Sequence, residues 1–537
     1  MAPRYSVLPR RDSFKLEVDE RIVEYKAPRS PIIRLLSRTL LRYAACLASL
    51  LLLINYLLSC IPSAPLDSEL WKTITEEKGT GGRWHIPKSW LLDAPSLPAG
   101  IAKTPKTSLE AAELAYTLAT GQSQYMEYSS IPLIVHQTWK TMDHRLWSSG
   151  IIRAVGTWLS YCQPAPNSHG VKMAYILWDD DGIEAFMNKY EPDFLDIFWT
   201  LPSIVERTDV FRVLVLKWFG GIYGDVDTEP LRAPSSWIQG IDLKNWTDTK
   251  LHASYGAPPV RPVHPEPSRV PSPYDLPSKL APSPSSASNP IHYSHSLKES
   301  TVLPSDPLVG AIFGIEADYP EESDAYWRAG YGFPTQLTNW ALAMAPHHPI
   351  ATRFQDTVRE DVEEEEKEGT LMTAYAVDLT GPVMVTRVVS RWLADTAGLR
   401  WMAVTSLDFR SSAPPSKIVE DVLILPKSGF HPSASKIPFF RGFNDPAARL
   451  THYAQGSWRK FNPHVEFGKF CRTFFGLCRD WGKEPPIIQQ HHSSIDSASM
   501  TMKSQHHSSG VGPHSAAAQP TTSVAIAGRI AIDTGRL

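Results

Sequence analysis

The chain has little of what marks several specialised protein classes. Its 53 Lys and Arg residues face 56 Asp and Glu residues, so the formal net charge is only −3. This balance argues against a nucleic-acid binder, which usually carries a strong basic excess. Only five of the 537 residues are cysteines, and no apolar run lies near enough to Met1 to form a cleavable signal peptide. The length still allows a sizeable core, and the clustered prolines indicate one folded unit with disordered additions.

The first feature that is present is an uncharged apolar run at residues 43–61. A run of about twenty apolar residues spans a bilayer as a helix. Basic residues precede it and acidic residues follow it: Arg34, Arg38, Arg42, Asp67, Glu69, Glu76 and Glu77. The positive-inside rule then places the N-terminus in the cytosol. We predict a single-pass type II membrane protein with a cytoplasmic tail at 1–42 and a lumenal remainder. The alternative is a buried core helix.

Two smaller features are consistent with a lumenal location. Cys471 and Cys478 are close enough in sequence to pair in an oxidising compartment, although the spacing does not decide whether they do. Asn245, followed by Trp246 and Thr247, forms an N-glycosylation sequon. Such triplets also arise by chance, so the sequon alone does not establish the compartment.

The remaining chain divides by composition into four parts. Residues 62–128 are mixed and resemble a stem, with one amphipathic helix expected at 108–120. Residues 129–480 are predicted to form the catalytic domain. An insertion at 256–305 interrupts it, since eleven prolines among serines and alanines lie within 256–290 and cannot build a packed core. Residues 481–537 are Ser-, His- and Ala-rich and are expected to form a disordered tail.

Apolar runs alternating with helical segments predict an α/β fold. Residues 131–135 form one candidate buried strand, and the apolar start of 174–182 forms a second, ending in acids and a turn glycine. Helical patterns follow each run. This alternation favours a mainly parallel central sheet.

One stretch, GGIYGDVDTEPL, places two carboxylates after a glycine pair and a short apolar run. Upstream, residues 203–221 predict a mostly apolar helix that starts at Pro202 and Ser203. Asp209 and Arg212 lie three residues apart, so they share one face of that helix. The residues IYGDVD are typical of a strand, on which the side chains of Asp225 and Asp227 point the same way as that of Tyr223.

Two carboxylates on one side of a strand repel each other unless a positive charge lies between them. A hard divalent cation such as Mg²⁺ or Mn²⁺ takes oxygen ligands of this kind and leaves positions for substrate phosphates. Strand ends of open α/β sheets are also where ligands bind. The other interpretation is that Asp225 and Asp227 only cap or solvate a turn.

The central block RTDVFRVLVLKWFGGIYGDVDTEPL, with IVHQTWKT and HYAQGSW, resembles glycosyltransferase family 32. The stretches FGIEAD, TNWALAMAPHHPI, DLTGP and DVLILPKSGF resemble the fungal initiation-specific α-1,6-mannosyltransferase branch of the Golgi. The resemblance implies a GT-A fold, which is a Rossmann-like nucleotide-sugar-binding architecture. It also implies a retaining enzyme that uses Mn²⁺ or Mg²⁺, GDP-mannose as donor and the N-glycans of glycoproteins as acceptor, in the Golgi membrane.

The resemblance also implies roles for individual residues. Asp225, Asp227 and His452 would hold the metal, and Asp209 and Arg212 would act with the aspartate pair in catalysis. Donor-binding positions would be His136, Thr138, Trp139, Arg207, Asp209, Arg212 and Trp458. For His136, Trp139 and Trp458, a place in the core is the open alternative. Glu316, Asp318 and Asp378 are candidates for shaping the acceptor pocket, with structural roles as the alternative.

Two rival functions stay open at this point. A mannosyltransferase acting on inositol phosphorylceramide shares the central block, although the stretches at 338–350 and 378–382 favour the N-glycan type. The tail also lacks a second hydrophobic segment, which a lipid-acceptor enzyme could carry. The other rival is a non-catalytic subunit of a mannosyltransferase complex, and the intact Asp225 and Asp227 pair speaks against it. Galactose donors occur in the same family, so mannose rests on resemblance alone.

Overall fold

The computed structural model describes residues 78–93, 97–163, 171–257, 309–407, 416–432, 445–453 and 462–479, together with 43, 46, 47, 49, 50, 53 and 74. The predicted tails, Trp458, nearly all of the Pro-rich insertion and most of the predicted membrane span lie outside these residues. The six described residues of that span are helical and exposed. Among the described residues, no helix is both long and apolar enough to cross a membrane.

The described part alternates between strands and helices. The strands are β1 (Lys78–Gly79), β2 (Gly82–His85), β3 (Ile134–Thr138), β4 (Ala174–Trp178), β5 (Gly221–Gly224), β6 (Thr228–Pro230), β7 (Trp246–Asp248), β8 (Ala253–Tyr255), β9 (Ala311–Asp318), β10 (Thr335–Met344), β11 (Lys417–Val419), β12 (Val422–Leu425) and β13 (Leu450–His452). The helices are α1 (Lys88–Leu92), α2 (Ser108–Gly121), α3 (Ser149–Cys162), α4 (Asp180–Tyr190), α5 (Leu195–Thr200), α6 (Ile204–Phe219), α7 (Ala325–Arg328), α8 (Pro349–Glu368), α9 (Ala376–Leu379), α10 (Pro382–Ala397), α11 (Lys427–Phe430) and α12 (Pro463–Phe475).

Nine strands form one mixed sheet in the order β1-β2-β4-β3-β5-β10-β9-β12-β11. The α/β prediction is confirmed, but the mainly parallel sheet is wrong. Within the described residues, only three of the eight neighbouring strand pairs are parallel: β4 with β3, β3 with β5, and β9 with β12. The reason is that β10 runs antiparallel between β5 and β9, and β2 adds an antiparallel strand beside β4. The sheet is parallel around β3, which lies next to the candidate site and pairs in parallel with β4 and β5.

The segment assigned to a stem is part of the folded domain, so the boundary at 129 is wrong. Strand β2 pairs with β4, with Trp84 opposite Ile176. Helix α2 forms where the sequence predicts a helix, and its Thr107 side chain caps it by accepting from the Glu110 N–H. Its alanines and leucines are almost fully buried. An apolar helix of this kind is stabilised by packing rather than by its own propensity, which explains why it belongs to the core.

The glycine pair at 220–221 joins α6 to β5. The Ser203 hydroxyl caps the start of α6 by accepting from the Val205 N–H, which confirms the predicted start. Gly220 ends the helix with φ of 62°, and Gly221 has φ of 101°. A Cβ at Gly221 would lie 2.4 Å from the Ile134 carbonyl oxygen. Glycine is required there because only a residue without Cβ tolerates both the left-handed backbone and the close approach of β3.

The C-terminal helix α12 is closed by a disulfide. Cys471 and Cys478 are bonded with their Cα atoms 6.0 Å apart, so the structure pairs the two cysteines whose pairing the sequence left open. Cys162 is a free thiol, and it is buried.

Candidate active site

The aspartate pair lies in a turn rather than on a strand. Strand β5 ends at Gly224, and the Thr228 N–H donates to the Asp225 carbonyl oxygen at 2.9 Å. The prediction that the strand continues through Asp227 is therefore wrong. The turn leads directly into β6, which pairs with β13 so that Thr228 lies opposite His452. This pairing brings a residue from the far end of the domain to the turn.

Three side chains converge at this turn. His452 Nε2 lies 3.2 Å from Asp227 Oδ1. Ligand atoms of Asp225, Asp227 and His452 all lie within 4.8 Å of one another, and each residue is partly buried. Two carboxylates and an imidazole are a donor set that suits Mn²⁺ and related divalent cations. The three residues that the resemblance assigned to the metal are therefore brought together, and they fit it.

Arg212 links the turn to helix α6. Its Nη2 atom lies 3.0 Å from Asp209 Oδ1 and 3.3 Å from Asp225 Oδ1. Arg212 and Asp209 are 6% and 5% exposed, so this cluster is almost closed to water. Burial opposes the charge, but Asp225 and Asp209 together raise the pKa of Arg212. Burial raises the pKa of Asp209 to about 7, although Arg212 opposes that rise. For Asp225, burial likewise raises the pKa and Arg212 opposes it.

Neighbouring side chains fix this cluster in place. Asn339 Nδ2 donates to Asp209 Oδ1 at 3.0 Å, and Thr380 Oγ1 donates to Asp209 Oδ2 at 3.3 Å. Arg212 Nη1 donates to the Asn339 carbonyl oxygen at 3.0 Å. The sequence predicted neither the contact of Asn339 with Asp209 nor that of Thr380, although both residues lie in the stretches that resemble the mannosyltransferase branch.

The Tyr223 hydroxyl supports the other side of the cluster. It donates to Asp225 Oδ1 at 3.0 Å and lies 2.9 Å from Thr138 Oγ1. The expectation that Tyr223 and Asp225 point the same way is confirmed. Thr138, a predicted donor contact, is thereby placed beside the aspartate turn.

His136 is a core residue, and its assignment to donor binding is wrong. It is fully buried, its Nε2 lies 3.1 Å from the Gly220 carbonyl oxygen, and Trp178 Nε1 donates to its Nδ1 at 3.3 Å. Burial lowers the pKa of His136 to about 3, so the ring is neutral. Both ring nitrogens are used by the protein, and no nitrogen is left for a nucleotide.

The other predicted donor contacts border the site or lie outside the described residues. Trp139 is half-buried, and its indole N–H has no hydrogen-bond partner in the part of the chain that the structure describes. The Arg207 guanidinium lies 5.3 Å from the centre of the Trp199 ring. Donor binding by Trp139 and Arg207 stays a prediction. Trp458 is not among the described residues.

A second group of polar side chains adjoins the turn through Trp340. The Trp340 ring stacks on His452 with ring centroids 4.4 Å apart. Its indole Nε1 donates to Glu316 Oε1 at 3.4 Å, and its carbonyl oxygen accepts from the Asp225 N–H at 2.9 Å. Trp340 therefore contacts both His452 of the candidate metal cluster and Glu316. The sequence did not single out Trp340.

Part of the candidate site lies in a stretch of sequence that matches a known protein family. Residues 151–243 match the family described as the glycosyltransferase sugar-binding region containing a DXD motif. That range includes Asp209, Arg212, Asp225 and Asp227. His452, which completes the metal cluster, lies outside the matched range.

Several curated relatives are similar to this chain. The Saccharomyces cerevisiae protein HOC1 is 22% identical over 355 residues, which cover 64% of this chain and 68% of HOC1. An initiation-specific alpha-1,6-mannosyltransferase of the same organism is 28% identical over 233 residues, covering 42% of this chain and 38% of that protein. Mannosyl phosphorylinositol ceramide synthase CSH1, also from S. cerevisiae, is 35% identical over 98 residues, covering 18% of this chain and 23% of CSH1. The last two matches thus span well under two thirds of the relatives they match.

Among solved structures, the chain is similar to the PaToxG glycosyltransferase. The TM-score is 0.25 with 15% sequence identity, covering 55% of this chain and 83% of that chain.

Proposed function

We propose, from the premise that this chain belongs to the glycosyltransferases with a DXD-containing sugar-binding region, family 32, that it is a retaining α-1,6-mannosyltransferase. In this proposal the domain has the GT-A architecture, the donor is GDP-mannose and the acceptor is an N-glycan. The enzyme is a type II protein of the Golgi membrane with a lumenal catalytic domain. The similarity to the initiation-specific alpha-1,6-mannosyltransferase supports this reading.

The observation that carries the proposal is the convergence of Asp225, Asp227 and His452 beside a buried arginine. Sugar transfer from a nucleotide diphosphate requires that the charge of the leaving group is neutralised. A divalent cation held by these three residues would supply Lewis-acid catalysis and a template for the diphosphate. Residues so arranged also account for why the chain keeps two carboxylates together in a turn.

We infer that Arg212 contacts the donor. Its Nη atoms are held by Asp209, Asp225 and Asn339, whereas its Nε–H is buried and has no hydrogen-bond partner within the described residues. An unpaired guanidinium N–H is a strong donor to a phosphate or hydroxyl oxygen. We assign Arg212 to the stabilisation of negative charge on the donor.

Asp209 is a positioning residue in this scheme. Its Oδ1 accepts from Arg212 and Asn339, and its Oδ2 accepts from Thr380. Because both oxygens are engaged in a nearly closed cluster, Asp209 orients Arg212 rather than attacking the sugar. We therefore propose that the acceptor hydroxyl forms its bond to the anomeric carbon on the face from which the diphosphate departs, and that the departing diphosphate oxygen takes the hydroxyl proton. Configuration is then retained without a covalent intermediate. Isolation of a mannosylated Asp209 would refute this route.

A second candidate function is mannosylation of inositol phosphorylceramide. The observation that favours it is the similarity to CSH1, whose shorter match has a higher identity than that of the alpha-1,6-mannosyltransferase. The matched 98 residues cover only 18% of this chain and 23% of CSH1, so most of both chains lies outside this similarity. A non-catalytic role in a mannosyltransferase complex would require that the converged site is inactive.

The test is Mn²⁺-dependent release of GDP from GDP-mannose by the full chain, with a high-mannose glycan as acceptor and UDP-galactose as the competing donor. The variant Asp225→Asn/Asp227→Asn is expected to lose transfer. The matched control Glu363→Gln/Glu364→Gln changes two exposed acids on α8 and should keep it. Turnover with UDP-galactose alone would overturn the mannose assignment. Mannosylation of inositol phosphorylceramide, with the glycan left unmodified, would favour the second candidate.

A further inference from the structure

Four half-buried polar side chains lie at or near the Glu316 carboxylate, which accepts from the Trp340 indole. They are Glu316, Tyr331, Lys427 and His431, and we name them the Glu316 cluster. None belongs to the metal cluster of Asp225, Asp227 and His452. None belongs either to the Arg212 cluster, by which we mean Arg212 and its ion-pair partners Asp209 and Asp225. Their chemistry is unused by the donor site described above.

Glu316 is held in a defined orientation. Its Oε1 accepts from Trp340 Nε1 at 3.4 Å, and its Oε2 accepts from Gln336 Nε2 at 3.1 Å. Gln336 is itself fixed, because its Oε1 accepts from the Gly332 N–H at 2.8 Å. A carboxylate offers about four lone-pair positions, so each oxygen of Glu316 can accept a further hydrogen bond from a bound hydroxyl group. The residue is partly exposed, so such a group can reach it.

Lys427 and His431 are brought to the same edge of the sheet by strand pairing. Strand β12 runs parallel to β9, with Leu425 opposite Gly314, so the residues that follow β12 lie beside Glu316 near the end of β9. Lys427 lies within electrostatic reach of Glu316, and the Tyr331 hydroxyl does as well. The His431 ring lies 6.0 Å from that of Trp340.

The hydrogen-bonding groups of this cluster are only partly satisfied by the protein. Within the described residues, the Lys427 ammonium makes no hydrogen bond or salt bridge, and the buried His431 Nδ1 has no hydrogen-bond partner. Asp318 is different, because its carboxylate is taken by Thr405 and Ser406. Asp318 is thus structural, and Glu316 is the acid of this region that remains able to bind a ligand.

We propose that the Glu316 cluster is the acceptor subsite and that it binds a neutral sugar residue. This inference rests on the proposed function, because it places the acceptor one indole ring away from the metal cluster. A sugar presents hydroxyls that both donate and accept, and Glu316, Lys427 and Tyr331 supply the complementary acceptor and donors. The opposite charges of Glu316 and Lys427 suit an uncharged ligand, whereas a phosphate would be repelled by the Glu316 carboxylate.

The test separates binding from turnover. Binding of a high-mannose oligosaccharide to the full chain is measured by titration in the presence of GDP and Mn²⁺, and GDP release from GDP-mannose is measured without acceptor. Glu316→Gln is expected to weaken oligosaccharide binding and to raise the acceptor KM at least tenfold more than it changes acceptor-free GDP release, because the amide oxygen of the variant can still accept from Trp340 Nε1. Tyr331→Phe, which removes one hydroxyl, should weaken binding to a smaller extent. Glu364→Gln, an exposed acid on α8, is the matched control and should change neither quantity.

The outcomes distinguish a failure of the acceptor subsite from a failure of the proposed mannosyltransferase function. If the wild-type chain binds the oligosaccharide and Glu316→Gln does not, yet no donor is turned over, the subsite stands and the proposed function fails. If transfer occurs and both Glu316→Gln and Tyr331→Phe bind the oligosaccharide normally, the subsite is refuted. An equal loss of acceptor-free GDP release in Glu316→Gln would also refute it, because the residue would then act on the donor. Inositol 1-phosphate is the anionic probe. Its tighter binding, lost in Lys427→Met, would overturn the neutral-sugar assignment.

Discussion

The indole ring of Trp340 lies on the imidazole of His452, with ring centroids 4.4 Å apart and planes inclined by 26°. The same indole donates to Glu316. This hydrogen bond fixes the Trp340 ring, and the ring in turn restricts the rotation of His452. Residues that orient a metal ligand contribute to affinity without touching the metal.

We therefore predict that Trp340→Leu weakens Mn²⁺ binding by about 10- to 100-fold, the usual effect of losing an outer-shell partner. The Mn²⁺ affinity is measured by titrating the protein with Mn²⁺ and following the free ion by electron paramagnetic resonance. The control is Trp246→Leu, which removes an indole that donates to the Ile418 carbonyl oxygen away from the site. Equal Mn²⁺ affinity in the wild type and Trp340→Leu would mean that His452 is not oriented by this ring.

Removing the buried arginine should be costly to the fold. Arg212→Met would leave Asp209 and Asp225 without their shared counter-charge, and breaking a buried ion pair typically costs about 3–5 kcal/mol. Urea unfolding at pH 7 measures the change. Arg353→Met provides the comparison, because it breaks a surface pair with Asp395 and such pairs contribute at most about 1 kcal/mol. Similar losses in the two variants would show that the Arg212 cluster is solvated in solution.

The glycine at the start of β5 should resist substitution. Gly221→Ala would force a Cβ against the Ile134 carbonyl oxygen and onto a left-handed backbone, where strain costs about 1–3 kcal/mol. We expect a loss of stability in that range or above, together with lower transferase activity, because β5 carries the aspartate turn. Gly240→Ala is the control, since the space around Gly240 is open. An active, fully stable Gly221→Ala protein would contradict the pairing of β5 with β3.

Because His136 is buried and neutral, we predict that the protein loses stability at acid pH. Its pKa falls from 6.5 in the unfolded chain to about 3 in the fold, because burial disfavours the charged ring. The unfolded state then binds more protons, so this contribution to stability is full above about pH 6.5 and is lost progressively towards pH 3. Between pH 7 and pH 5 the loss amounts to about 2 kcal/mol.

The measurement is the free energy of unfolding at both pH values for the wild type and His136→Asn. The variant lacks the titrating ring. The decrease in its free energy of unfolding between pH 7 and pH 5 should therefore be about 2 kcal/mol smaller than that of the wild type, whatever its stability at pH 7. His252→Asn changes an exposed histidine and should keep the wild-type dependence. The same dependence in His136→Asn would show that another group is responsible.

The sequon provides a test of the proposed lumenal location. Asn245 is exposed, immediately before β7. When the full chain is produced in a secretory host, we expect one N-linked glycan that a glycosidase removes with a shift in electrophoretic mobility. Thr247→Val should abolish the shift and Thr247→Ser should preserve it, because only the hydroxyl is required. A wild-type chain without glycan would weigh against a lumenal domain.

The features that depend on local chemistry could be predicted from the sequence. The cap at Ser203, the helix-ending glycines and the shared face of Asp209 and Arg212 follow from spacing alone. The predicted strand extends too far, through Asp227, because alternating apolar residues do not show where hydrogen bonding to the neighbouring strands ends. Burial of His136 could not be predicted either, because a histidine directly after an apolar run suits both a core and a ligand site.

The features that depend on distant pairing could not be derived from the residues. Asn339 reaches Asp209 only because β10 runs antiparallel beside β5, and the strand–helix alternation suggested parallel neighbours instead. His452 was named from resemblance, whereas its physical placement comes from the pairing of β13 with β6. Contacts of this kind depend on which strands meet, and local periodicity carries no information about that choice.

The pairing of β6 with β13 has a consequence for how the protein is made. Tyr453 and Glu229, which are 224 positions apart in sequence, are hydrogen-bonded across this pair. During synthesis the aspartate turn therefore leaves the ribosome long before the strand that carries His452. A nascent or prematurely terminated chain that has Asp225 and Asp227 but not β13 lacks the third ligand and exposes an unpaired β6. Under the proposed function, metal binding by all three residues is therefore acquired only after β13 has been made.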